Sequence, residues 1–282
     1  DKNIINPDIY SITFSDLHKF GKSGHELSTS LFFSTSKMLK NETSIQYNSD
    51  TDNLFGDIIE TGSLITDNND ENYKFDLDYT LPLRENGILE AGFQWRLTGT
   101  ESNFNSEYLY PDESTENDED HSKFTRQIFA GYTTYSDKIG RFEYKVGLRT
   151  EYTDRILEQF TLNEDYVYEH IDLYPSAYIS YTLENKDQIQ INYSKRLNRP
   201  RHHFLNPYVM FSDGFTMMQG NPELEPEYAH VAELNYIKKF KNSFLSVETF
   251  FRKTNNKMTR LGEINDEGIL VLSMDNLDSD QS

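Results

Sequence analysis

Apolar and polar residues alternate along most of this chain with a period of two. From Tyr73 the odd positions read Tyr73, Phe75, Leu77, Tyr79, Leu81 and Leu83, against Lys74, Asp76, Asp78, Thr80 and Pro82. After a break, Leu89, Ala91, Phe93, Trp95 and Leu97 alternate with Glu90, Gly92, Gln94, Arg96 and Thr98. Phe142, Tyr144, Val146, Leu148 and Tyr152 alternate with Glu143, Lys145, Gly147, Arg149 and Glu151. Successive side chains of a strand point to opposite faces, so each segment predicts a strand with one apolar and one charged face. No stretch carries a convincing helical period.

The connections sort by length. Short, turn-like links fall at 21–24, 84–87, 136–140, 184–187 and 240–243, rich in the Gly, Asn, Asp and Ser of hairpin turns. Long polar excursions near 40–70, 101–121, 154–169, 198–226 and 256–268 alternate with them. The intervening segments 71–83, 88–100, 122–135, 141–153 and 170–183 run 13 or 14 residues each. Soluble strands average about 5–6 residues, whereas a tilted strand needs about 9–11 to cross the hydrocarbon of a bilayer. Short turns on one side and long loops on the other predict an up-and-down outer-membrane barrel with its long loops outside the cell. Tyr73, Trp95, Tyr152 and Tyr181 lie where interfacial girdles are expected. The face carrying Asp76, Asp78, Glu90, Arg96, Lys145, Arg149 and Glu151 is too polar for a dry core and is expected to face a wide lumen.

Composition narrows the picture. Only 36% of the 282 residues are hydrophobic, yet 14% are aromatic, which excludes a wholly disordered chain. No run is long and apolar enough for a membrane-crossing helix. The net charge of -20 leaves no basic footprint for nucleic acid. Acidic runs at 67–72 and 112–120 read as solvated loops and lack the spacing of a calcium loop. Cysteine is absent, so there is neither a disulfide framework nor a thiolate metal site. No Gly-x-Ser-x-Gly or His-Glu-x-x-His motif points to an enzyme, and nothing calls for a metal or other cofactor.

Residues 193–236 are more specific: YSKRLNRPRHHFLNPYVMFSDGFTMMQGNPELEPEYAHVAELNY. Pro200, Pro207, Pro222 and Pro226 cannot donate to a ladder and end pairing. Gly220 tolerates positive φ, and Asn206 and Asn221, each before a proline, can make Asx turns. The segment therefore predicts a fixed, folded loop between two strands, with a structural motif made of Arg196, Arg199, Pro200, Asn206, Pro207, Gly220, Asn221, Pro222 and Pro226. Arg199, Arg201, His202 and His203 are its candidates for ligand contact. A metal shared by the two histidines is awkward, because neighbours on an extended chain point to opposite sides.

This ordered run resembles the barrel of TonB-dependent outer-membrane receptors, in the branch common in Bacteroidetes-type bacteria. The match rests on Tyr193, Ser194, Arg196, Arg199–Pro200, Leu205–Asn206–Pro207, Gly220–Asn221–Pro222, Leu224, Pro226–Glu227 and Glu233, Leu234, Tyr236. Asp78, Tyr79 and Pro82 add to it. The resemblance implies an all-β fold, an antiparallel up-and-down transmembrane β-barrel. Residues 1–282 would supply part of one barrel domain, about 11 of the about 22 strands of a plugged receptor, without the plug. It also implies a Gram-negative outer membrane, lipid around the wall and an extracellular solute such as a siderophore, glycan or peptide. A TonB-type energising protein would act through an N-terminal region outside these residues. A passive pore or structural surface barrel is the alternative expectation.

Overall fold

The computed structural model describes residues 2–47, 56–213, 216–266, 268–277 and 280–281. Eleven strands form one sheet: β1 (Lys2–Lys19), β2 (Glu26–Tyr47), β3 (Ile58–Pro82), β4 (Ile88–Leu109), β5 (Thr115–Ile139), β6 (Phe142–Gln159), β7 (Glu164–Thr182), β8 (Gln188–Asn198), then β11 (Glu227–Lys239), β12 (Phe244–Asn255) and β15 (Asp280–Gln281). Every neighbouring pair is antiparallel, and β1 and β15 lie at opposite edges. A second sheet of four short strands has the order β13-β14-β10-β9: β13 (Lys257–Ile264), β14 (Leu270–Leu277), β10 (Thr216–Gln219) and β9 (Val209–Asp213).

The turns at one end form where the sequence predicts them. Leu83 N–H donates to Gly87 O at 2.8 Å, Leu183 N–H to Asp187 O at 2.8 Å, and Phe240 N–H to Ser243 O at 2.8 Å. The hairpin expected at 136–140 is tighter: β5 runs to Ile139, pairs with Phe142, and turns on Gly140 at φ 61°. The other end differs from expectation. Most of the excursions near 40–70, 101–121 and 154–169 are continuous ladder rather than loop. The β4–β5 pairing continues to Leu109↔Thr115, leaving a turn at 110–114, and β6–β7 continues to Gln159↔Glu164. The tip at 48–55 lies outside the described residues. Polarity misled here because a strand standing above a membrane has water on its outer face and loses its alternation while keeping its ladder. The acidic run 67–72 is accordingly strand, within β3.

Register turns the alternation into rows. Phe75, Trp95, Phe129 and Tyr152 are successive cross-strand partners on the outer face. Nearer the short turns, Phe142, Tyr181, Ile189 and Tyr236 form a second outward row. From Phe142 to Tyr152 is ten residues, about 33 Å of strand, which at a tilt of about 40° is about 25 Å of height, the apolar band of an outer-membrane barrel. Val146, Leu148 and Leu173 between the rows stay 44–52% exposed, which only lipid would cover favourably. The inward row beside the upper girdle reads Asp76, Gln94, Ala130, Glu151 and Asp172.

Leu148 sits near mid-band on the lipid face. Leu148→Arg in the full-length protein is expected to cost about 2–4 kcal/mol, read as a shift in urea unfolding in lipid vesicles; the apolar change Leu148→Val at the same position should shift it far less.

Candidate functional site

On the lumen face the charged side chains form a connected network. Lys145 Nζ lies 2.5 Å from Glu90 Oε2, and Thr134 donates to the same oxygen at 2.8 Å. Asp76 accepts from Gln94 at 2.5 Å and pairs with Lys74 at 2.9 Å. Tyr132 donates to Asp78 at 2.5 Å, its ring lying over Gly92, where a Cβ would meet it at 2.4 Å. On the opposite face, near the short turns, Tyr79 bonds His25 at 2.8 Å, and at the turn the Pro82 carbonyl accepts from Lys22. Glu151 collects three guanidiniums: Arg199 at 2.5 Å, Arg149 at 2.7 Å and Arg96 at 3.3 Å. A carboxylate this buried is stable only with such partners, so removing one leaves charge uncompensated.

Arg199 belongs to the long 198–226 connection, which folds inward instead of outward. Below it, Arg199 also donates to Thr153 at 3.1 Å. Arg155, projecting inward from β6, donates to the carbonyls of Leu224 at 3.0 Å and Pro222 at 2.9 Å and stacks over the Tyr168 ring at 4.6 Å. Gln159 bridges Asp120 at 2.7 Å and Asn206 at 2.8 Å, and Asn206 donates to Asp120 at 2.7 Å. Tyr208 donates to Asp118. A buried apolar cluster completes the contact: Phe124 and Leu157 of the wall against Leu205 and Leu224 of the loop, flanked by Met258 and Met274 of the β13–β14 hairpin.

The motif residues hold the loop's own shape. Gly220 N–H donates to Asn206 O at 2.8 Å, and Asn221 N–H to Phe204 O at 2.8 Å. Gly220 does not take the positive φ that the sequence suggested; glycine is needed here because a Cβ would run into the Asn206 backbone. Asn206 and Asn221 each accept a backbone N–H two residues on, from Tyr208 at 3.1 Å and Glu223 at 2.9 Å. Pro207 O accepts from Gln219 at 3.1 Å. Arg196 stays on β8 beside Ser194. Pro200 follows the last paired residue of β8, and Pro226 precedes the first of β11. Asn256, at φ 56°, kinks β12 into β13 and donates to Pro226 O at 3.0 Å, while Asn276 donates to Glu225 O at 3.1 Å. These contacts tie the four-stranded sheet to the loop.

Between loop and wall is a cavity of about 670 Å³, lined among others by Ser44, Thr66, Thr100, Phe124, His202 and His203. Of the sequence-derived ligand candidates, His202 and His203 border it, Arg199 is engaged by Glu151, and Arg201 is exposed on the loop. The backbone at 202–204 is a 3-10 turn, not extended, so both imidazoles reach the same cavity, 5.5 Å apart and nearly perpendicular. Burial holds both below the ordinary imidazole range; for His203 the neighbouring His202 and Arg201 add to this. Among the described residues, no group of three or more His, Asp or Glu is arranged as a metal site. Arg155, Gln159 and Asp120 were not picked out by sequence. Their parity on strands predicted inside the lumen was the available signal, but Asp120 was hidden in an apparently solvated acidic run.

The architecture is that of an outer-membrane β-barrel wall. Residues 18–282 match the outer membrane protein beta-barrel family, and the chain belongs to it. It accordingly lies in the outer membrane of a Gram-negative bacterium. No curated protein sequence matches the chain. Among solved structures it is similar to the copper transporter OprC (TM-score 0.68, 7% identity), covering 96% of this chain and 42% of that one. It is also similar to the ferric citrate transporter FecA in its unliganded form (0.62, 11%, covering 90% and 35%). The third is the ferric-catecholate import receptor Fiu from K12 E. coli (0.62, 12%, covering 98% and 43%). The resemblance to receptor barrels thus holds for the fold, and the chain spans less than half the length of these structures.

Two outcomes are expected. Gly220→Ala, by driving a methyl into the Asn206 backbone, should loosen the loop by about 1–3 kcal/mol, seen as faster proteolysis within 198–226 while the heat-resistant barrel band is retained. Titration of the two imidazoles by NMR should give midpoints below 6.5 for both. Because the folded values are lowered, acid favours the opened loop. Loop stability is complete above the ordinary value and falls as pH drops through the window below it.

Proposed function

We propose that this chain forms the wall and mouth of an outer-membrane receptor that takes up a scarce solute by TonB-energised transport. The solute is a siderophore, glycan or peptide held at the extracellular cavity. The observation that carries this reading is the inward loop. Its anchors at Glu151, Arg155 and Asp120–Gln159 hold it against the inner face of the wall and leave a ligand-sized space between the two. About 300–1,000 Å³ is the usual volume of a small-molecule site. The importers whose fold it shares lend the reading further support.

On this reading residues 1–282 are part of one barrel domain, the plug and the TonB-contacting segment belong to a longer chain, and no catalysis is involved. The full-length protein should give no permanently open conductance in planar bilayers. Growth on the imported solute should be lost when the energising partner is deleted. A steady, porin-like conductance with energy-independent uptake would instead establish a passive pore.

A further inference from the structure

Register fixes which side chains the wall presents to the cavity. One inward row reads Lys40, Thr66, Phe104 and Asp120, and the next row down reads Met38, Asn68, Ser102 and Ser122. All of these except Met38 line the cavity. The charged groups in the lining are answered locally. Lys40 pairs with Glu42 at 2.7 Å, and the two oxygens of Asp120 accept from the amides of Gln159 and Asn206 at 2.7 Å each. Burial holds His202 and His203 below the ordinary imidazole range, so both are uncharged at neutral pH. The lining therefore offers an anion no unpaired cation.

What the lining does offer is hydroxyl groups. Ser102 donates to Asn68 and Thr100 to Asp70, each at 2.6 Å, so these two are engaged. Ser44, Thr66 and Ser122 also line the cavity, and among the described residues their hydroxyls have no hydrogen-bond partner. Ser122 is only 6% exposed. A hydroxyl enclosed to this degree is costly without a partner. It is satisfied by a group that can both give and take a hydrogen bond, as another hydroxyl does. Beside these groups the ring of Tyr108 packs against Gly62. A Cβ at that glycine would meet the ring at 3.1 Å and Ser44 Oγ at 2.7 Å, so a side chain there would displace both from the cavity surface.

Free hydroxyls beside an aromatic ring, with no unpaired cation, are the complement of a sugar. Each sugar hydroxyl donates and accepts, and the C–H face of the ring is apolar. An extended peptide is disfavoured, because each strand that lines the cavity lies inside its sheet and leaves no backbone edge for strand addition. We propose that the cavity seats an uncharged oligosaccharide, with Ser44, Thr66 and Ser122 hydrogen-bonded to its hydroxyls and Tyr108 against its C–H face. The proposal rests on the cavity being the solute mouth and selects one class of solute for it.

The test applies the full-length protein in detergent to a printed array of neutral oligosaccharides, their sulfated counterparts and short peptides. Retention is expected on neutral oligosaccharides and not on the sulfated counterparts or the peptides. Calorimetry with the best-retained oligosaccharide should then give a Kd about tenfold weaker for T66V and for S122A. T125V, on the outward face of the strand that carries Ser122, should bind as the wild type does. All three variants should keep the heat-resistant barrel band. The proposal is overturned if no oligosaccharide is retained, if sulfated or peptide spots are preferred, or if T66V and S122A both bind as the wild type does. Retention on the array needs no energising partner, so a failure here is separate from a failure of the conductance and growth experiments.

Discussion

In hydrocarbon no water is available to a bare N–H or C=O, so the wall must pair its backbone continuously. The rest of the structure follows from this requirement. An unbroken antiparallel ladder from β1 to β12 fixes register, and register fixes which side chains share a face. A slip of one residue would turn Glu151 and Arg149 toward lipid and Tyr152 and Leu148 toward the lumen. The cost of burying those charges in the bilayer makes the observed register the one available. The lumen network is thus a by-product of satisfying the backbone.

The second layer of organisation is a loop that trades solvent for the lumen wall. A segment rich in proline has many backbone carbonyls without ladder partners, and burial would be costly if they stayed unpaired. Arg155 supplies donors to two of them, and Asn206, Gln159 and Asp120 close a group of side chains in which each member is bonded. Leu205 and Leu224, both almost wholly buried, give the loop an apolar footing on Phe124 and Leu157. This small core is inside the lumen, the reverse of a soluble barrel, whose whole interior is apolar.

Much of the fold was legible in the chain because alternation, turn residues and strand length are local. Tyr73–Leu83 and Phe142–Tyr152 show their two faces directly, and GKSG, RENG and ENKD show their turns. The upper hairpins were less legible. Residues 101–121 and 154–169 carry polar side chains on both faces, so composition there reports water and not conformation. The candidate site was half legible. Its loop motif stood out through Arg-Pro, Asn-Pro and Gly-Asn-Pro, but its wall partners did not. Arg155, Gln159 and Asp120 look like any other polar strand residues until register sets them beneath the loop. The backbone at the adjacent histidines differs from the extended chain read in the sequence for a local reason, since Pro200 ends the strand and lets residues 202–204 coil into a 3-10 turn.

The long upper hairpins have a consequence of their own. From Phe129, beside the upper girdle, β5 reaches back to Thr115, about 45 Å of strand standing clear of the membrane. Inward and outward parity persists along that height, so on its wall side the cavity is lined by paired strands and not by the hairpin tips. The turns at 110–114 and 160–163 are what an antibody or a phage would meet first. The first can be lengthened, recoloured or exchanged without moving a cavity-lining side chain, whereas the second holds Gln159 through the N–H groups of Thr161 and Leu162. Immune or viral pressure at the surface and selection for a ligand thus act on separate residues of the same hairpin.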